Sequence, residues 1–181
     1  MNKSQIRNKI IKIRKKKFNK DLKIDLGKFI SFLKINEINP KSIGGYYPSN
    51  YEIDDLDILN LLKKKNFKVS LPIIKKNNHM NFYDWSRNDP LKINKFGIPE
   101  PVSSKIFYPD ILLVPLVAYD ITLNRLGYGG GYYDRYIKKI EKVKKVVKIG
   151  LAFSFQKISS IPINQYDKRL DFIITEKEIL K

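Results

Sequence analysis

The sequence predicts an α/β layered fold, with a largely parallel central sheet flanked by helices, in a single domain spanning residues 1–181. Three observations predict it. Residues 110–117, reading DILLVPLV, are apolar on both faces after the aspartate, as a covered central strand must be. Segments with apolar residues at helical spacing alternate with short apolar runs, the order that crossover helices on a parallel sheet require. A glycine-rich segment then joins the strongest strand to the next helix, and open α/β sheets gather ligands at such places.

The elements follow in order. Residues 4–19 read as a helix with Ser4 as its cap and Ile6, Ile10 and Ile13 on one face. Residues 28–33 (KFISFL) read as a short buried strand. Pro40, Gly44, Gly45 and Pro48 mark residues 36–51 as loop and turn. Residues 52–65 read as a helix. Ile53, Leu56, Leu59 and Leu62 share its face, with Asp54 and Asp55 in the first turn and lysines in the last, as the helix dipole favours. Residues 67–73 read as a strand ending near Pro72. Residues 76–105 are polar and irregular, and an irregular stretch of that length in a compact chain is usually functional. Beyond 110–117, residues 131–145 read as a helix, and 146–153 and 171–175 as two further strands.

Composition bounds the function. The 181 residues are 43% apolar, enough for one sizeable core and too many for a disordered chain. There is no cysteine, which excludes disulfides, thiolate metal sites and cysteine nucleophiles, and fits a cytoplasmic protein. The basic N-terminus is followed by no apolar core of a secretory signal, and no apolar run is long enough to cross a membrane. The net charge of +18 attracts polyanions, so a basic nucleic-acid-binding protein is the alternative reading. Lysine, asparagine and isoleucine are abundant along the whole chain, however, and that pattern favours compositional drift over one basic patch.

Residues 125–135, RLGYGGGYYDR, carry the sharpest signal. Glycines let the backbone turn tightly and bring its N–H groups against an anion. The following helix adds its N-terminal N–H groups and positive dipole end. Arg125 and Arg135 flank the segment as candidate phosphate clamps. Asp134 in the first helical turn is either a Mg²⁺ ligand or simply a favourable N-terminal charge. The spacing matches neither the dinucleotide fingerprint nor the Walker A loop.

The segment resembles the signature of the 5-formyltetrahydrofolate cyclo-ligase family, also called methenyltetrahydrofolate synthetases. Other blocks resemble that family in the same order: Gly97-Ile98-Pro99-Glu100-Pro101, the run from Pro109 to Pro115, Ala118-Tyr119-Asp120, residues 150–153, Gln156, Pro162, Asp167 and residues 171–175. Lys3 and Arg7 match a basic pair on the first helix. The resemblance implies ATP- and Mg²⁺-dependent ring closure of 5-formyltetrahydrofolate, polyglutamylated or not, to 5,10-methenyltetrahydrofolate, by a cytoplasmic monomer. The formyl oxygen would be phosphorylated, N10 would attack, and phosphate would leave.

Residue roles implied by the resemblance follow position by position. Lys3, Arg7, Arg125, Leu126, Gly127, Tyr128, Gly129, Gly130, Gly131, Tyr132 and Tyr133 would hold ATP. Arg125 and Arg135 would be the catalytic cations, and Asp134 and Asp167 the Mg²⁺ ligands. Glu37 would bind the pterin, with Phe32, Tyr83, Trp85 and Glu100 on the substrate side. His79, the sole histidine, reads as a surface residue. Three positions depart from the pattern: Leu116 and Leu123 stand where the family carries glycine, and Pro40 replaces a threonine.

Overall fold

Helix α1 (Lys3–Lys17) starts at a reciprocal cap. Asn2 accepts from the Gln5 N–H at 2.9 Å while Gln5 accepts from the Asn2 N–H at 2.9 Å. The cap therefore lies two residues ahead of Ser4. The structure, a computed structural model, describes residues 1–19 and 21–181.

Residues 28–33 are not a strand. They lie within helix α2 (Leu26–Ile35), capped by Asp25, which accepts from the Lys28 N–H at 2.6 Å. Phe29, Phe32 and Leu33 are its buried residues, an i, i+3, i+4 set. A short apolar run carries too little periodicity to separate helix from strand, and here the cap decides.

Strand β1 (Ser42–Gly44) lies inside the segment read as loop. Helix α3 (Leu56–Lys64) starts later than expected, and β2 (Lys68–Ile74) runs through Pro72. The missing N–H of Pro72 is tolerated because β1 pairs β2 only as far as Ser70, so no parallel partner awaits it. Residues 76–105 contain more order than expected: β3 (Met80–Asp84) joins the main sheet, and β4 (Leu91–Ile93) with β5 (Pro99–Pro101) forms a separate hairpin. Strands β6 (Ile106–Phe107) and β7 (Ile111–Pro115) follow, then the hairpin of β8 (Ala118–Tyr119) and β9 (Arg125–Leu126). Helix α4 (Tyr132–Ile140), β10 (Val147–Leu151), β11 (Phe172–Ile174) and β12 (Ile179–Leu180) complete the chain. No helix among the described residues is long and apolar enough to cross a membrane.

The main sheet has eight strands in the order β12-β11-β10-β7-β1-β2-β3-β6. The five from β11 to β2 are parallel, and the outer pairings are antiparallel. Alternation along β7 separates two cores. Ile111 and Leu113 pack with α2 and α3 on one face, while Leu112 and Val114 pack with Tyr136, Ile137 and Ile140 of α4 on the other. Helix α1 closes a third cluster, where Ile6 and Ile10 meet Val117, Ala118 and Leu126 beyond the end of β7.

Candidate active site

Strand order places the site. The chain runs from β1 to β2 on one side, then returns to β7 on the other, so connections diverge between β1 and β7. A crevice opens at the carboxyl ends of strands on either side of such a switch point. A cavity of about 1250 Å³ lies there, lined by Tyr46 and Tyr47 after β1, Pro72 and Ile74 of β2, and Pro115 of β7. The glycine segment, Lys3 and Arg7 of α1, and the first turn of α4 form its opposite wall.

That second wall is cationic and rich in backbone donors. Gly129 has φ +104°, and a Cβ there would sit 3.4 Å from the Arg7 guanidinium carbon. Gly131, the N-cap of α4, has φ +65° and supplies no side-chain cap, which leaves the first-turn N–H groups for a ligand. Arg7 Nε donates to the Gly127 carbonyl at 2.7 Å, and Arg135 donates to the carbonyls of Gly130 and, at 3.0 Å, Asn78. Tyr132 donates to Asn78 Oδ1 at 3.1 Å. The loop is thus held by Arg7 and Arg135, which line the cavity together with Arg125 and Lys3.

Two carboxylates sit among these cations. Asp134 Oδ1 pairs with Arg125 Nη2 at 2.8 Å and accepts from the Lys168 N–H at 3.0 Å. Asp167 Oδ2 pairs with Lys3 Nζ at 2.5 Å and accepts from the Asn164 N–H at 2.7 Å. Arg125 Nε is buried without a partner, and Nη2 of the same guanidinium is taken by Asp134. Among the described residues no three Asp, Glu or His side chains converge as a metal cluster. Mg²⁺ beside phosphates needs only one or two carboxylates, and Asp134 and Asp167 are the pair available on this wall.

The first wall holds buried acids. Glu52 lines the cavity and accepts from the Ser49 N–H at 2.7 Å. Burial pushes its carboxyl up; hydrogen bonds from Ser49 and Tyr128 and the charge of Arg14 oppose that. Asp55, fully buried below it, accepts from the Tyr46 N–H at 3.0 Å. Burial drives its carboxyl well above the usual range, and its second oxygen has no partner. Tyr46 and Tyr133 flank these acids with phenols pushed well up, first by burial and then by Asp55 and Glu52.

The expected substrate residues lie elsewhere. Phe32 is buried in the core, edge-on to Phe172 at 4.9 Å. Glu37 is exposed just past α2, on the approach to the amino end of β1, whereas the cavity is at the carboxyl end. Trp85 is 4% exposed and follows β3, whose antiparallel course carries it to that same far end. Tyr83 is buried within β3, under Lys75. Glu100 accepts from the Ile74 N–H at 3.2 Å and pairs with Lys92 at 3.6 Å, so it braces the β4–β5 hairpin against β2. None of the five lines the cavity. Glu52, which the sequence reading missed, does. Its signal was position: it lies in the segment directly after β1, on the near side of the switch point. His79 is exposed, as expected.

A model of the 5-formyltetrahydrofolate cyclo-ligase family matches residues 1–176. The chain belongs to the 5-formyltetrahydrofolate cyclo-ligase family. The 5-formyltetrahydrofolate cyclo-ligase of Haemophilus influenzae is 33% identical over 140 residues, 74% of each chain. The structure of Aquifex aeolicus 5,10-methenyltetrahydrofolate synthetase superposes with a TM-score of 0.78 at 32% identity, covering 100% of this chain and 93% of that one. The 5,10-methenyltetrahydrofolate synthetase of Mycoplasma pneumoniae gives 0.77 at 27% identity, covering 98% and 100%.

Within this family the departures acquire geometry. Leu123 has φ +65°, the left-handed conformation that glycine adopts freely. Asp120 holds that turn by accepting from Thr122 and Asn124, and Leu123 is 3% exposed, so apolar burial offsets the backbone strain. Leu116 is 1% exposed, and its carbonyl accepts from both Gln156 and Arg14. Pro40 follows Glu37 at the far end of the sheet and touches nothing in the cavity.

Proposed function

We propose that this chain closes the ring of 5-formyltetrahydrofolate to 5,10-methenyltetrahydrofolate in an ATP- and Mg²⁺-dependent reaction. One observation carries the reading: a cationic glycine wall and a wall with a buried carboxylate face each other across one cavity at the switch point. Bound ATP supplies the phosphoryl group that turns the formyl oxygen into a leaving group, and Mg²⁺ offsets phosphate charge beside Asp134 and Asp167.

The chain's own residues then position and neutralise. Lys3, Arg7, Arg125 and Arg135 surround the phosphates, and the N–H groups of residues 127–133 point donors at them. Arg125, a cation on the cavity wall, is placed to stabilise charge that develops during transfer. Glu52 takes the role expected of Glu37. Its oxygens accept from the two-donor edge of an aminopyrimidinone, and Tyr46 and Tyr133 offer flat walls beside it. Holding N10 near the activated carbon is then a matter of proximity, and no covalent nucleophile is needed. A nucleic-acid-binding role leaves this cavity and its buried acids without a purpose.

The test is direct. The protein is incubated with 5-formyltetrahydrofolate, Mg²⁺ and ATP, and methenyltetrahydrofolate is followed by its absorbance. ATP-dependent product is expected; its absence overturns the reading.

A further inference from the structure

We propose that Arg14 is a positioning residue that ties the two cavity walls together, holding Tyr128 of the glycine loop and, through it, Glu52 of the opposite wall. What those walls bind rests on the folate reading above; the linkage itself does not.

Arg14 occupies the third buried position of α1, after Ile6 and Ile10, where an amphipathic helix would place another apolar residue. It is fully buried, where a guanidinium costs free energy, and its Nε has no partner. Nη1 donates to the Leu116 carbonyl at 3.1 Å, and Nη2 donates to the Tyr128 hydroxyl. The guanidinium also lies 5.6 Å from the centre of the Tyr128 ring. Among the described residues no carboxylate comes within ion-pair distance of it. The charge of Arg14 acts on Glu52, the buried acid of the cavity.

The relay is fixed by proton count. A phenol has one proton and accepts through its oxygen. The Tyr128 oxygen accepts from Arg14, so its own proton remains free to turn towards Glu52, which lines the same cavity. Arg14 does not line the cavity, whereas Tyr128 and Glu52 both do. It therefore acts through them.

Glu52 needs such support. Tyr128 faces it from the glycine loop, Tyr133 from α4, Tyr46 from the β1 end, Asp55 from the start of α3 and Arg14 from α1. Arg14 is the cation of that set. Without it, burial favours the protonated acid, which has lost an acceptor for the folate ring.

The experiment compares the unmutated protein with Arg14→Met, Arg14→Lys and Tyr128→Phe. Steady-state rates across about pH 5 to 9 give the acid limb and the KM for each substrate. Arg14→Met is expected to raise the folate KM about tenfold and to move the acid limb up by about one pH unit. Arg14→Lys, which keeps the charge, returns the limb towards its original place. Tyr128→Phe moves the limb the same way as Arg14→Met, and it reads the linkage alone should Arg14→Met fail to fold. An Arg14→Met protein that melts lower yet keeps both limb and KM shows a purely structural arginine and overturns the proposal. In parallel, carbon-13 NMR follows the Glu52 carboxyl, assigned with Glu52→Gln, in the ligand-free protein. If the unmutated protein makes no methenyltetrahydrofolate, the folate reading fails. The Glu52 titration, moved upward by Arg14→Met or unmoved, then decides the linkage without it.

Discussion

The two walls of the cavity are built differently. The glycine wall is nearly one continuous stretch, residues 125–135, reinforced by Lys3 and Arg7 from α1 and Asp167 from the last loop. The opposite wall collects Tyr46, Glu52, Pro72 and Pro115, which end or follow three different strands. The glycine wall therefore shows in sequence as a motif. The acid wall exists only once β1, β2 and β7 lie side by side. Charge follows the same division. On the glycine wall each carboxylate has a cation within 2.8 Å, as with Asp134 and Asp167. On the other, Glu52 and Asp55 are buried with hydrogen bonds in place of ion pairs.

The largest expected effect tests the glycine wall. Arg125→Ala should lower kcat/KM for cyclisation by about 10²- to 10³-fold, the scale of a lost charge-stabilising donor. Circular dichroism at the assay temperature checks that the folded fraction does not account for the fall. Normal turnover would remove the phosphate-clamp role from this side chain.

A smaller effect separates the two candidate glutamates. Glu52→Gln should raise the folate KM about 10- to 100-fold, the range for a lost charged hydrogen bond, with the ATP KM little changed. Glu37→Gln should stay within about twofold of the unmutated protein, because its side chain stands at the opposite end of the sheet. The reverse result would return the pterin site to the position the sequence suggested.

The smallest effect is on stability. The carboxyl of Asp55 is raised on folding, first by burial. An acid raised in this way costs nothing while both states are protonated. Its cost begins as pH climbs through the unfolded carboxylate range and grows until the folded group ionises. Over that window the penalty increases by about 1.4 kcal/mol per pH unit. Asp55→Asn keeps the acceptor for the Tyr46 N–H and removes the titration. Its thermal midpoint should match the unmutated protein near about pH 3 and exceed it at neutral pH. Equal midpoints at neutral pH would show that Asp55 carries no such strain.

How much was legible follows from particular residues. The helix after the glycines, which ends at Ile140 and not at 145, and the central strand were readable because their patterns are local. Residues 28–33 were not, since six residues with four apolar side chains satisfy both periods, and only the Asp25 cap and the packing on Phe172 choose helix. Pro72 suggested a strand end because proline breaks a ladder, but β1 is too short to reach it. Trp85 invited a binding role as the sole tryptophan of an irregular stretch, yet β3 turns it into the core.

By itself the sequence determined the α/β class and the family, and it pointed to the glycine loop with its arginines and aspartates. Each of these rests on residues close together or on blocks in a fixed order. Tertiary structure alone decided which end of the sheet is the site, and with it that Glu52 faces the glycine loop while Glu37 does not. It also decided that Arg14, one basic residue among many on α1, is buried between the two walls. The physical reason is that a cavity at a switch point is set by strand order, and strand order is a property of long-range pairing that no local pattern carries.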